Sequence, residues 1–354
     1  MTDPAVPILS DPATALPEAF LARVKEQLHD EFPAFLASYQ RPPLQALRVN
    51  TLKCGVQELQ ALIPRLTEPV PGTTAGLYFP EDLRPGLSPW HEAGLYYIQE
   101  PSAMLAVPAL EAQPGEIVLD LCAAPGGKTT AIAADMKGEG LLIANEIVPK
   151  RAAVLSQNIE RLGITNAVVT NHAPAELAGR FPEFFDRILV DAPCSGEGMF
   201  KKEPQAIEMW SPENVAACAA RQDAILAEAD KMLKPGGRLI YSTCTFAPEE
   251  DEGCVERFLA AHPGYDLLSM QTVYPHRFPG EGQFVAALQK EDAGTVLLSS
   301  FGEMGTAPFS PSRGRASSAL KEAVSAWEAF ADSAAHGGAR GGAHGDGPFV
   351  SAQK

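Results

Sequence analysis

Three absences narrow the reading of this chain before any motif is considered. No run of 18 or more apolar residues occurs, so no segment qualifies as a transmembrane helix. Cysteine is sparse, six in 354 residues, too few for a disulfide scaffold. The opening MTDPAVPILSDP lacks the basic region of a secretory signal, so a reducing cytoplasm is the expected location. Basic residues are also short: 28 Lys and Arg stand against 44 Asp and Glu, a net charge of −16. Phosphate contacts dominate nucleic-acid affinity, so that balance counts against such a partner unless a local basic surface carries the contact.

What is present is an ordinary globular mixture, 45% hydrophobic and 20% charged, which excludes a wholly disordered chain. The length predicts two domains and a tail: a smaller N-terminal α/β domain over 1–112, a larger α/β domain over 113–292, and a low-complexity tail over 293–354. In the first, Phe20, Val24, Leu28, Phe32 and Phe35 repeat at near-helical spacing over 17–40, and the Pro-rich segment at 41–43 stops the pattern. A strand follows at 47–53 and a helix at 55–63. In the second, strand patterns at 116–121, 140–146, 166–171 and 185–193, and a turn plus strand at 234–244, alternate with helical stretches. That order argues for a doubly wound parallel sheet with helices on both faces and a ligand beyond the carboxyl ends of the strands. The tail carries HGGARGGAHGDG at 336–347 and reads as flexible, apart from one short amphipathic helix through Leu320, Val324 and Trp327.

LDLCAAPGGKTT (119–130) joins a strand to a helix through small residues, which let a ligand approach the backbone. A P-loop would need Gly where Cys122 stands, and GxGxxG is absent. Glu146, ending the next strand, can accept hydrogen bonds from both ribose hydroxyls. A nucleoside-bearing cofactor with no pyrophosphate to cradle is S-adenosylmethionine.

DAPCSGEGMF (191–200) ends the fourth strand and YSTCTFAPEE (241–250) the fifth. Neighbouring strand ends would turn Cys194 and Cys244 to one cleft, beside Asp191. Neither belongs to a CxxC pair, so no metal is expected. Two thiols suit one chemistry. C5 of cytosine is too weak a nucleophile to take a methyl directly; a thiolate adding to C6 makes C5 an enamine carbon. One cysteine is then the nucleophile and the other assists proton removal or release. Cys54, Cys218 and Cys254 read as packing residues, and Cys122 as a small residue of the loop.

These blocks, with RVNTLK (48–53), YYIQEPSAM (96–104), DLCAAPGGKT (120–129), NE (145–146) and PHRFPGEGQFVA (275–286), make residues 47–290 resemble the NOL1/NOP2/Sun family of RNA cytosine-C5 methyltransferases. GEGMF and PHRFPGEG most resemble its bacterial RsmF-type (YebU-like) branch, which acts on small-subunit ribosomal RNA. The resemblance implies a Rossmann-like class I methyltransferase sheet and S-adenosylmethionine as cofactor. It implies Cys244 as nucleophile, Cys194 in product release, and Asp191 near both cofactor and base. It places Cys122, Ala123, Ala124, Pro125, Gly126, Gly127, Lys128, Glu146, Arg151 and Asp191 at the cofactor. The partner implied is RNA, ribosomal RNA or the small subunit, with no membrane and no obligate protein partner. A transfer-RNA methyltransferase and a non-catalytic RNA-binding assembly factor are the alternatives. DNA-type enzymes use the PC cysteine as nucleophile, which would exchange the two roles.

Two departures stand out. The family's acidic residue after the third strand is replaced by Asn171 and His172. Where the branch commonly carries a PUA-like RNA-binding domain, the low-complexity residues 293–354 follow. Lys201 and Lys202, after GEGMF, are candidate phosphate contacts.

Overall fold

The computed structural model describes residues 12–292. The flexible tail and short helix expected over 293–354 lie outside the described residues. Two sheets organise the chain. In the N-terminal part, β1 (Gln45–Val49) is flanked antiparallel by β2 (Gly76–Phe79) and β3 (Tyr96–Gln99). The sequence pattern marks β1; the other two are four residues each, too short for alternation to show. Leu47 and Val49 pack against Leu59, Leu77 and Tyr96.

The continuous helix expected over 17–40 is two helices, Glu18–Leu28 and Phe32–Ser38, parted by a 3-10 turn. Pro33 explains the break: it fits the first turn of a helix, but inside a longer one it would remove a hydrogen bond and clash. These helices do not share the core of β1–β3. Phe20 meets Phe200 edge-on at 5.1 Å and Phe35 meets Phe246 at 5.6 Å, so they pack on the segments that carry the two cysteine motifs.

The large sheet has the spatial order β6 (Ala167–Thr170), β5 (Leu141–Asn145), β4 (Ile117–Asp120), β7 (Phe185–Asp191), β8 (Leu233–Thr243), β10 (Gln283–Lys290), β9 (Tyr265–Val273). The first five are parallel; β10 runs antiparallel to β8, and β9 antiparallel to β10. The five strands read from sequence are all present; β9 and β10 are additions. Alternation sends Ile188 and Val190 of β7 and Leu239 and Tyr241 of β8 to one face, against the helices Pro212–Met232 and Glu252–Ala261. Leu189 and Ile240 go to the other face, against Gly127–Asp135 and Pro149–Leu162. This doubly wound arrangement reverses direction between β4 and β7, which opens a crevice at their carboxyl ends. Among the described residues, no helix is long and apolar enough to cross a membrane.

Candidate active site

The crevice collects the residues singled out by sequence. β4 runs into the loop Leu121–Gly126, and the helix Gly127–Asp135 leaves it. Gly126 has φ +113°, which an L side chain rarely adopts, and a Cβ there would sit 3.1 Å from Leu155. A residue missed from sequence braces this turn. Arg48 of β1, buried, donates to Gly127 O, to Gln99 Oε1 at 2.6 Å and to Thr130 Oγ1 at 2.6 Å. Burial lowers its guanidinium to about 10. The RVNTLK block contained the signal, but strand periodicity treats Arg48 only as a half-exposed position.

Glu146, at the end of β5, is 3% exposed; its Oε1 accepts from the Val148 N–H at 2.9 Å. Arg151 lies 3.3 Å from Glu146 Oε2 and donates to Ala124 O at 2.9 Å, so it ties the acidic residue to the glycine loop. Asn171 donates to the Glu146 carbonyl, and His172 lies 3.3 Å from Glu176. Asp120 is fully buried. Thr129 Oγ1 donates to its Oδ2 at 2.6 Å, while its Oδ1 has no partner. Burial pushes this carboxyl up to about 7, and the Asp191 charge adds to the rise. Carboxylates at the ends of three adjacent strands, one with an orphaned oxygen, fit a ligand that brings a positive charge and hydroxyl donors.

A raised carboxyl pKa means that the folded state binds the proton more tightly. Stability is then full below the ordinary value of 3.8 and falls as pH rises through about 7. Asp120→Asn is expected to remove that fall, at most about 1.4 kcal/mol per pH unit. Thermal unfolding of the cofactor-free chain at pH 5 and pH 8 checks this; an unchanged gap between the two would refute it.

Asp191 accepts from Lys128 Nζ at 2.8 Å, Ser242 Oγ at 2.7 Å and Gln283 Nε2 at 3.3 Å. Burial works against the Lys128 charge, yet Asp191 holds its ammonium above the ordinary value. The parallel pairing of Asp191 with Ser242 sets the two cysteine segments side by side. Cys194 Sγ and Cys244 Sγ are 3.2 Å apart, and the Cys244 N–H points to Cys194 Sγ at 3.4 Å. Both are free thiols. The hydrogen bond from its neighbour, then burial, push the Cys194 thiol well above its ordinary value. A cavity of about 180 Å³ opens here, walled by Lys128, Asp191, Cys244, Glu100 and Glu281. Cys244 is in its wall and Cys194 is not.

One expectation changes and one residue is added. Lys201 is not a surface lysine: it is 8% exposed, with Nζ 3.3 Å from Glu281 Oε1. Glu197 of GEGMF also emerges as a hub. Fully buried, it accepts from Arg23 Nη2 at 2.6 Å, Trp210 Nε1 at 2.8 Å and the Phe246 N–H at 3.1 Å. The other four cysteines are not in the cavity wall; Cys218 and Cys254 are buried.

The chain is similar to known proteins along most of its length. Residues 107–289 match the family model of the 16S rRNA methyltransferase RsmB/F, and residues 16–101 match that of the N-terminal domain of 16S rRNA methyltransferase RsmF. It is 40% identical to ribosomal RNA small subunit methyltransferase F of Escherichia coli O6:H1 (strain CFT073), over 87% of this chain and 70% of that protein. The counterpart in Klebsiella pneumoniae (strain 342) is 39% identical, over 88% and 72%. Among solved structures, a methyltransferase homolog from Pyrococcus horikoshii superposes with TM-score 0.71 at 29% identity, over 81% of this chain and 99% of that one. NSun6 from the same organism, solved with SFG, has TM-score 0.70 at 23% identity, over 78% and 98%, and shares the fold. The matches run through both the N-terminal segment and the large sheet, and the chain therefore belongs to the RsmB/F family of 16S rRNA methyltransferases.

Proposed function

We propose that this chain methylates C5 of a cytosine in 16S ribosomal RNA, with Cys244 as the nucleophile. One observation carries the assignment. Two thiols meet at 3.2 Å at the ends of adjacent parallel strands, and only Cys244 of the pair faces the cavity shared by Lys128 and Asp191. The cofactor is S-adenosylmethionine, held by the loop Cys122–Lys128, by Glu146 with Arg151, and by Asp191. When bound, it supplies the electrophilic methyl group.

The protein's own residues do the rest. Cys244 Sγ bonds to C6 of the pyrimidine; the C5–C6 π electrons move onto C5, which becomes nucleophilic. Lys128, paired with Asp191, offers its remaining N–H groups to the ring oxygen as negative charge builds there. Release needs the C5 proton removed and the C6–S bond broken. Cys194 keeps its proton, because the hydrogen bond from its neighbour and burial both disfavour its thiolate. In this reading Cys194 hands its proton to the departing Cys244 sulfur as the C6–S bond breaks, and the thiolate it becomes takes up the proton lost from C5.

The test is transfer of labelled methyl from S-adenosylmethionine to unmodified 16S RNA and small subunits, with bisulfite sequencing to find the position. Loss of one methylcytosine from a deletion strain is the expected counterpart. Label in transfer RNA alone would move the substrate, and no label in any RNA would leave a binding protein that keeps the fold.

A further inference from the structure

We propose that Glu281 reads the 4-amino edge of the target cytosine and so separates cytosine from uracil. The proposal rests on the assignment of the cavity as the pyrimidine site. A pyrimidine there presents different groups at position 4: cytosine an NH₂ donor, uracil a carbonyl acceptor. A carboxylate attracts the first and repels the second.

Three carboxylates wall the cavity, and they differ in what already occupies them. Asp191 accepts three donors, from Lys128, Ser242 and Gln283. Glu100 also accepts three: the Glu281 N–H at 2.8 Å on Oε1, and Ser102 Oγ with the Ala103 N–H at 2.7 Å on Oε2. It is a brace between two loops. Glu281 has the ammonium of Lys201, 3.3 Å from its Oε1, with no well-directed hydrogen bond to that oxygen, and the charge of Lys202 farther off. Yet it is 3% exposed. Burial raises its carboxyl, and Lys201 and Lys202 oppose the rise. A buried carboxylate with so few donors is a cost to the fold unless a ligand supplies the missing hydrogen bonds.

Its backbone, in contrast, is held firmly. The Glu281 N–H is taken by Glu100, and the Gly282 N–H by Ser102 Oγ at 3.1 Å. Gly282 has φ +130°, and a Cβ there would sit 2.4 Å from the Phe246 ring. Glu281 is thus an under-occupied acceptor on a fixed loop, which is how a site built to reject an isostere is arranged.

The test uses full-length protein, Glu281→Gln and two RNAs. One carries cytosine at the mapped position; the other carries 2-pyrimidinone there, which keeps an electrophilic C6 but has no 4-amino group. Glu281→Gln is expected to lower kcat/KM for cytosine methylation about 100-fold. The rate of covalent adduct formation with 2-pyrimidinone RNA should stay within about threefold of wild type, because the lost contact is absent there. Equal losses on both RNAs would indicate a structural role and overturn the proposal. Unchanged cytosine methylation would overturn it as well. Wild-type protein that neither methylates nor forms an adduct would overturn the active-site assignment itself.

Discussion

Cys244→Ala is expected to lose methyl transfer by at least about 10,000-fold, since Cys244 is the proposed nucleophile and loss of an attacking group removes most of an enzyme's rate. Cofactor binding should persist, because the glycine loop, Glu146 and Asp191 are untouched. Cys194→Ala behaves differently. Attack at C6 still occurs, but release loses its proton donor, and general acid–base steps are worth about 100- to 10,000-fold. A protein–RNA adduct that survives denaturation should therefore accumulate with Cys194→Ala and be missing with Cys244→Ala. A gel that resolves the shifted band reads both outcomes. An adduct with Cys244→Ala and none with Cys194→Ala would exchange the two roles and give the DNA-type assignment. The cavity supports the order proposed here, since Cys244 is in its wall and Cys194 is not.

Glu197→Ala is expected to destabilise the chain by about 3–5 kcal/mol, the usual cost of breaking a buried ion pair from one side. Three donors lose their acceptor together: the Arg23 guanidinium, the Trp210 indole N–H and the Phe246 N–H. For a large domain that corresponds to a fall in Tm of roughly 6–20 °C. The effect should extend to catalysis, because Phe246 lies two residues beyond Cys244 and the Gly198 N–H donates to the Cys244 carbonyl at 2.8 Å. Calorimetry checks the stability and methyl transfer below Tm checks the rate. A Tm within about 2 °C of wild type would show that the three donors find water instead.

Much of this site is legible in the linear chain because parallel α/β sheets impose a rule. Their strands all end on one side, so residues that follow successive strands meet. Cys122 to Lys128, Glu146, Asp191, Cys194 and Cys244 all obey it, and the four strands that deliver them show buried-strand patterns. Arg48, Glu100, Glu197 and Glu281 do not. Each sits inside a recognisable block, yet each acts through a partner far along the chain: Arg48 on the helix at 127, Glu100 on the loop at 281, Glu197 on Arg23. No period or spacing encodes such pairings. The short strands β2 and β3, and the break before Pro33, were hidden for a related reason: four residues cannot show alternation, and one proline can divide an apparent helix.

What the amino-acid order determined alone was the class of sheet, the place of the glycine turn and the convergence of two thiols, since these follow from local propensity and a general topology. What only the folded molecule decided was how the charges are spent. Lys201 turns inward to Glu281, Asp120 keeps one oxygen unpaired, and Glu197 gathers three donors from distant segments. Burial and hydrogen-bond partners set the character of an ionisable group, and neither is a property of its position in the chain.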